Sequence, residues 1–132
     1  MAGETNLQTL LASMEPVLLA DRFVFASVER VPEGLAAVGT FREAEGWTVI
    51  LPEAEAAGLA TVTAPMRCIS LTIHSAFEAV GLTAAFATEL AAHGISANVV
   101  AGFYHDHIFV PEGHAERALE ALRALSRRHR GT

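Results

Sequence analysis

Leu7, Leu10, Leu11 and Met14 recur at i, i+3, i+4 and i+7, a spacing that lines up side chains on one face of a helix. Thr5 or Asn6 can cap its start, and Pro16 ends it. Val17–Leu19 and Arg22–Val28 are then two β-type runs around Ala20-Asp21, which reads as a hairpin. VPEGLAAVG at 31–39 has the composition of a loop, and TFREAEGW at 40–47 follows neither period. Thr48–Leu51 is a short strand. PEAEAAGL at 52–59 predicts two helical turns, with Pro52 in the first and Gly58 as the stop.

The pattern sharpens in the second half. Ile69, Leu71 and Ile73 alternate with Ser70, Thr72 and His74, a strand with one apolar and one polar face. That polar face is expected to be wet or covered by another copy. Leu82, Ala85, Phe86 and Leu90 mark the inner stripe of a helix that Gly94 stops. Ile95–Phe103 and His107–Val110 predict two further strands with a tip at about Tyr104–Asp106. Pro111-Glu112-Gly113 turns the chain into a last helix, with Ala115, Ala118, Leu119, Leu122 and Leu125 inside and Glu116, Glu120 and Arg123 outside. Residues 67–128 therefore read β-α-β-β-α, and the first half holds a similar but scrambled set. Two layers follow, an antiparallel sheet with helices against it: an α+β, ferredoxin-like arrangement.

Composition narrows the function. Of 132 residues, 52% are hydrophobic and 18% charged, enough apolar surface for a packed core. The net charge is −6 and there is no lysine, so nucleic acid is excluded as an expected partner. The basic run Arg127-Arg128-His129-Arg130 suits the negative end of a helix dipole. Cys68 is alone, which rules out an internal disulfide and a multi-cysteine zinc site. The opening MAGETNLQTLL has Glu4 and no basic region, unlike a signal peptide. The apolar stretch 79–104 is broken by Glu89 and His93, so no membrane span is expected and the cytoplasm is the expected location.

The chemistry concentrates in FYHDHIFVP at 103–111. His105 and His107, two apart, would share a face of a regular strand. Zinc wants about four ligands, and this run gives two or three; His74 or a second subunit would have to complete the set. His93, His114 and His129 read as surface positions. Cys68 inside a strand reads as inert packing, and no G-x-S-x-G, P-loop or dinucleotide fingerprint occurs. No catalytic residue, cofactor or metal site is assigned.

The segments TFREAEGWTVILP at 40–52, HSAFEAVGLTA at 74–84 and NVVAGFYHDHIFVP at 98–111 resemble the ACT-domain family. The likeness extends to tandem ACT-like proteins, to the ACT modules of aspartate kinases and to CASTOR-type amino-acid sensors. Nothing resembles the kinase catalytic domain. The resemblance implies a ferredoxin-like ACT fold with two ACT-like halves, 1–63 and 64–132, and helices on one face of the sheet. It implies a non-enzymatic regulatory module that binds a small molecule, an amino acid first, as a homodimer or higher homo-oligomer. The implied ligand positions are His74, Ser75, Val80, Gly81, Leu82 and Thr83 around the helix start. Asn98, Val99 and Gly102 of the next strand join them, with Asp106 after the hairpin tip.

Those residues suit the task. A helix start offers unpaired N–H groups to a carboxylate. Gly81 lets a ligand approach the backbone, Ser75 or Thr83 adds a hydroxyl, and Asp106 or Glu78 can pair with an ammonium group. Val80, Leu82 and Val99 would supply apolar wall. Plainer roles stand beside these: Ser75 and Glu78 as a capping box, Gly81 as turn glycine, Asn98 bonded to backbone and Asp106 as a turn former. The alternatives are a ligand-free protein–protein interaction module and, after it, a metal protein using His105 and His107.

Overall fold

The computed structural model describes residues 6–72 and 80–130. Helix α1 (Leu7–Ser13) starts at Asn6, whose side-chain oxygen accepts from the Thr9 N–H at 2.9 Å. Strand β1 (Pro16–Val28) follows, then β2 (Gly39–Glu43), β3 (Gly46–Pro52), a 3-10 turn (Glu53–Glu55) and β4 (Met66–Leu71). Helix α2 (Leu82–Ala92), β5 (Asn98–Ala101), β6 (Asp106–Pro111), a second 3-10 turn (Glu112–His114) and α3 (Ala115–Arg130) complete the order. The six strands form one antiparallel sheet, β2-β3-β1-β4-β6-β5. Read outward from the β1–β4 seam, each half has the same order: its first strand, its third, its second. This is the expected α+β ferredoxin-like fold.

Several local expectations change. Ala20-Asp21 is not a hairpin turn. β1 runs straight through it, with Leu18 paired to Ile69 and Arg22 to Arg67, so residues 19–21 face Cys68 alone. A bulge and a turn both interrupt the alternation of apolar positions, so they look alike in sequence. Arg67 holds the bulge: its Nε and Nη2 donate to the Leu19 carbonyl at 3.2 and 2.6 Å. The PEAEAAGL segment forms one 3-10 turn instead of two helical turns. It has no full apolar stripe to bury, and only Ala56 and Leu59 of it pack inward.

TFREAEGW is the β2–β3 hairpin, with Glu43 opposite Gly46. The Thr48 hydroxyl donates to the Glu43 carboxylate. Gly46 sits at φ 141°, and a Cβ there would meet the Val28 carbonyl oxygen at 2.6 Å, so the close approach requires glycine. The strand expected from Ile95 is only Asn98–Ala101. The hairpin tip moves back to Phe103-Tyr104, closed by the Gly102 N–H donating to the His105 carbonyl at 2.9 Å. Asp106 is therefore the first residue of β6, not part of the tip.

Alternation along the strands divides the interior. On one face Ile69, Leu71, Ile108 and Val110 pack against Leu10, Leu11 and Met14 of α1, Leu82, Phe86 and Leu90 of α2, and Leu119, Leu122 and Leu125 of α3. Ser126 is buried there with its hydroxyl within 3.2 Å of the Met14 carbonyl. The same face of the first half presents Val24, Ala26, Val49 and Leu51, covered by loop residues such as Val31 and Leu35 instead of helices. The opposite face carries Phe23, Ile50, Cys68 and Phe109, flanked by Leu19, Phe25 and Met66. Phe109 meets Phe23 and Phe25 edge to face, at 5.6 and 5.2 Å between ring centres. The face read as polar from Ser70 is thus largely aromatic, because its neighbours on β1 and β6 are. Thr72 ties back to the Glu15 carbonyl, and Ile73 and His74 lie outside the described residues. Among the described residues no helix is long and apolar enough to cross a membrane.

Phe86 is fully buried between α2 and the sheet, so Phe86→Ala is expected to cost about 3–5 kcal/mol in urea unfolding. A cost below about 1 kcal/mol would contradict the packing described, since surface changes fall in that range. Arg67→Met removes the charged donors from the bulge carbonyl and is expected to cost about 1.5–3 kcal/mol in the same measurement.

Candidate ligand site

The expected ligand positions fall on three elements. β6 begins at Asp106, opposite Leu71, the last residue of β4, and opposite Ala101 on β5. Asp106 and Leu71 lie on the helix side of the sheet. The Asp106 carboxyl is half-buried, and no described residue hydrogen-bonds to it or pairs with it. Burial pushes it above the ordinary carboxylate range, and the neighbouring His107 and His105 only partly oppose that shift. An ionised, unpaired carboxylate in this position is poorly solvated, and a cation brought to it would favour the charged form.

The start of α2 is the second element. Gly81 is its N-cap, at φ 95°, and supplies no side-chain oxygen to the first-turn N–H groups. A Cβ on Gly81 would lie 3.1 Å from Leu7 Cδ2 of α1, so the missing side chain also makes room for the helix packing there. Val80 is 84% exposed and Thr83 is exposed in the first turn. Leu82 turns into the helix–sheet core beside Phe86, and Val99 packs against the same core from β5. His74 and Ser75, with Glu78, lie outside the described residues.

The third element, β5, splits the set. Asn98 and Val99 are neighbours on a strand and so face opposite sides of the sheet. Asn98 is opposite Phe109, and its amide donates to the Phe109 carbonyl at 3.3 Å, the plainer of its two roles. Gly102 shapes the hairpin: a Cβ there would meet the His105 carbonyl at 2.8 Å. The structure thus places Asp106 and Val99 on the helix side of the sheet and Asn98 on the opposite side, the bare side in that no described helix packs on it.

His107, one residue after Asp106, also faces the bare side. Its Nδ1 lies 2.8 Å from the Ser70 hydroxyl. Burial, then the neighbouring His105, lowers its pKa, while Asp106 opposes the shift. The imidazole is held towards its neutral form. His105 has a buried Nδ1 without a hydrogen-bond partner among the described residues, as does His114, which is less of a surface position than its sequence suggests. Among the described residues no three His, Cys, Asp or Glu side chains converge as metal ligands. The Cys68 thiol is buried and pushed up by desolvation, which opposes formation of a nucleophilic thiolate. The Ser70–His107 pair was not legible in the sequence. The two residues are 37 apart and become neighbours only through the β4–β6 register.

Two family models, each described as an ACT domain, match residues 2–67 and 63–124. No curated protein matches. Among solved structures, a Vibrio cholerae protein of unknown function, described as a possible transport protein, is 51% identical with a TM-score of 0.82, covering 91% of this chain and 95% of that one. An Agrobacterium tumefaciens protein is 19% identical, with a TM-score of 0.74 over 86% of this chain and 89% of its own. The regulatory subunit of aspartate kinase from Thermus flavus shares the fold at 11% identity, with a TM-score of 0.63 over 86% of this chain and 98% of its own. With one model on each half of a continuous sheet, and the strand order repeated on either side of the seam, the chain belongs to the ACT-domain family as a tandem pair.

Proposed function

We propose that the protein is a regulatory module that binds an amino acid where β6 begins and α2 starts, and performs no catalysis of its own. ACT domains are regulatory modules that usually bind small ligands such as amino acids. In this reading the halves are 1–63 and 64–132, and a second copy of the chain joins in a homodimer or higher homo-oligomer. The observation that carries it is Asp106, a half-buried carboxylate that makes no hydrogen bond or ion pair with a described residue and whose pKa is raised by burial against the weaker pull of His107 and His105. A ligand ammonium group would supply the missing counter-charge. The ligand carboxylate would meet the first-turn N–H groups of α2, where the helix dipole is positive, with the Thr83 hydroxyl beside it. This chemistry holds a molecule and needs no activated nucleophile.

Thermal unfolding against the twenty amino acids tests this. At a hundred times its dissociation constant, one ligand should stabilise the protein by about 2.7 kcal/mol. For a chain of this size that is on the order of 10 °C. Asp106→Asn should abolish the shift while leaving the ligand-free melt within a few degrees. A panel flat for every amino acid would remove the reading and favour a ligand-free protein–protein module.

The pH dependence has a fixed sign. The ammonium group binds the ionised carboxylate, so affinity is full above the raised Asp106 pKa and falls as pH drops through it. Titration calorimetry from pH 7 downward should show this fall at a higher pH than the 3.8 of an ordinary aspartate. A loss confined to below that value would show that Asp106 is not the partner.

A further inference from the structure

The bare face of the sheet has a feature that the Asp106 site does not use. At the bulge in β1, three residues oppose Cys68 alone, so no single residue stands across from the thiol as in a regular ladder. The place is left as a groove of about 250 Å³. Phe23, Ile50 and Phe109 line it with Cys68, Leu19 lines it from the bulge, and His107 adds a ring that can hydrogen-bond. Bulges commonly re-aim side chains beside functional sites. This one is fixed from behind by Arg67, whose guanidinium bonds the Leu19 carbonyl.

The lining defines the guest. It contains no carboxylate and no arginine, so a charged group would lose its hydration there without a counter-ion. An apolar cavity of about 150 Å³ accepts benzene, and this groove has room for a substituted ring or a second ring. Among the described residues of the lining, the strong hydrogen-bonding side chain is His107. Its Nδ1 is taken by Ser70, and its Nε2 has no partner among the described residues. Because either atom of the Ser70–His107 pair can be the donor, Nε2, on the Gly102 side of the ring, can present a proton or a lone pair. A hydroxyl, a ring N–H or a carbonyl would each satisfy it.

We propose that the bulge opposite Cys68 opens a second ligand pocket on the bare face of the sheet, which takes a small aromatic or aliphatic molecule carrying one hydrogen-bonding group for His107 Nε2. The pocket is independent of the amino-acid site, since Asp106 faces the other side of the sheet. Failure of one does not remove the other.

The test is a titration of the full chain with phenol, followed by protein-observed NMR. Cyclohexane-1,2-diol and benzoate serve as more polar and charged comparisons. Saturable shifts should centre on the amides around Phe23, Ile50, Cys68 and Phe109, with phenol binding more tightly than either comparison. Gly39→Leu should block the groove: Gly39 lines it at ordinary φ, and a Cβ there sits 3.5 Å from Ile50 Cδ1, in normal contact. His107→Phe keeps the apolar wall and removes the hydrogen bond, and should weaken phenol about tenfold, equivalent to about 1.4 kcal/mol. The melting temperature of each variant confirms that it is folded. Shifts that do not saturate, that survive Gly39→Leu in a folded variant, or that centre on the helix side would overturn the proposal. So would finding the groove closed by a second copy, seen as a dimer that Gly39→Leu dissociates and phenol does not enter.

Discussion

Strands β1 and β4 meet antiparallel at the middle of the sheet, and each half of the chain depends on that contact. An open strand edge presents unpaired N–H and C=O groups. Without the seam, each half would be a three-stranded sheet exposing the edge of its first strand. The helices are also shared unevenly. α1 precedes the first strand of the first half but packs with α2 and α3 on the second half. The first half closes its own core with loop 29–38 and the segment after β3, which bring only Val31, Leu35, Ala37, Ala56 and Leu59. The helical layer and the strand order both follow from the seam.

The seam is also where the sheet departs from regularity. A two-residue surplus on β1 would weaken any ladder, and here it falls opposite the small Cys68 side chain. Arg67 compensates by capturing the freed carbonyl. The large rings on either side, Phe23 and Phe109, lean into the space and meet edge to face. Small residue, bulge and aromatic contact form one packing solution. The same solution leaves an apolar hollow on the face that no described helix covers.

Much of this was readable in the sequence. The amphipathic stripes of α1, α2 and α3, a cap at Thr5 or Asn6 and the β-α-β-β-α order all came from apolar spacing, capping residues and breakers, because those signals are local. Apart from the short PEAEAAGL turn, what differed was decided at a distance. Ala20-Asp21 could not be told from a turn until β4 was known to lie alongside. The aromatic character of the bare face came from Phe23 and Phe109, which are 86 positions apart in sequence and neighbours only through strand order. The candidate site was legible as residue types. Its division between two faces was not, since that depends on where the hairpin turns. The tip lies at Phe103-Tyr104, and this sets Asp106 on one face and His107 on the other.

That division rests on Gly102. Strand side chains alternate with a period of two, so a slip of one residue in β6 would exchange every address on the strand. His107 would turn towards the helices, and Asp106 would be delivered to a hollow lined with phenylalanine. The turn that prevents this has no room for a side chain, since a Cβ on Gly102 would press on the His105 carbonyl and approach the His107 ring at 3.3 Å. A substitution at this glycine would press on the hollow only through the His107 ring and would not touch the carboxylate, yet by shifting the turn it would disturb both surfaces together.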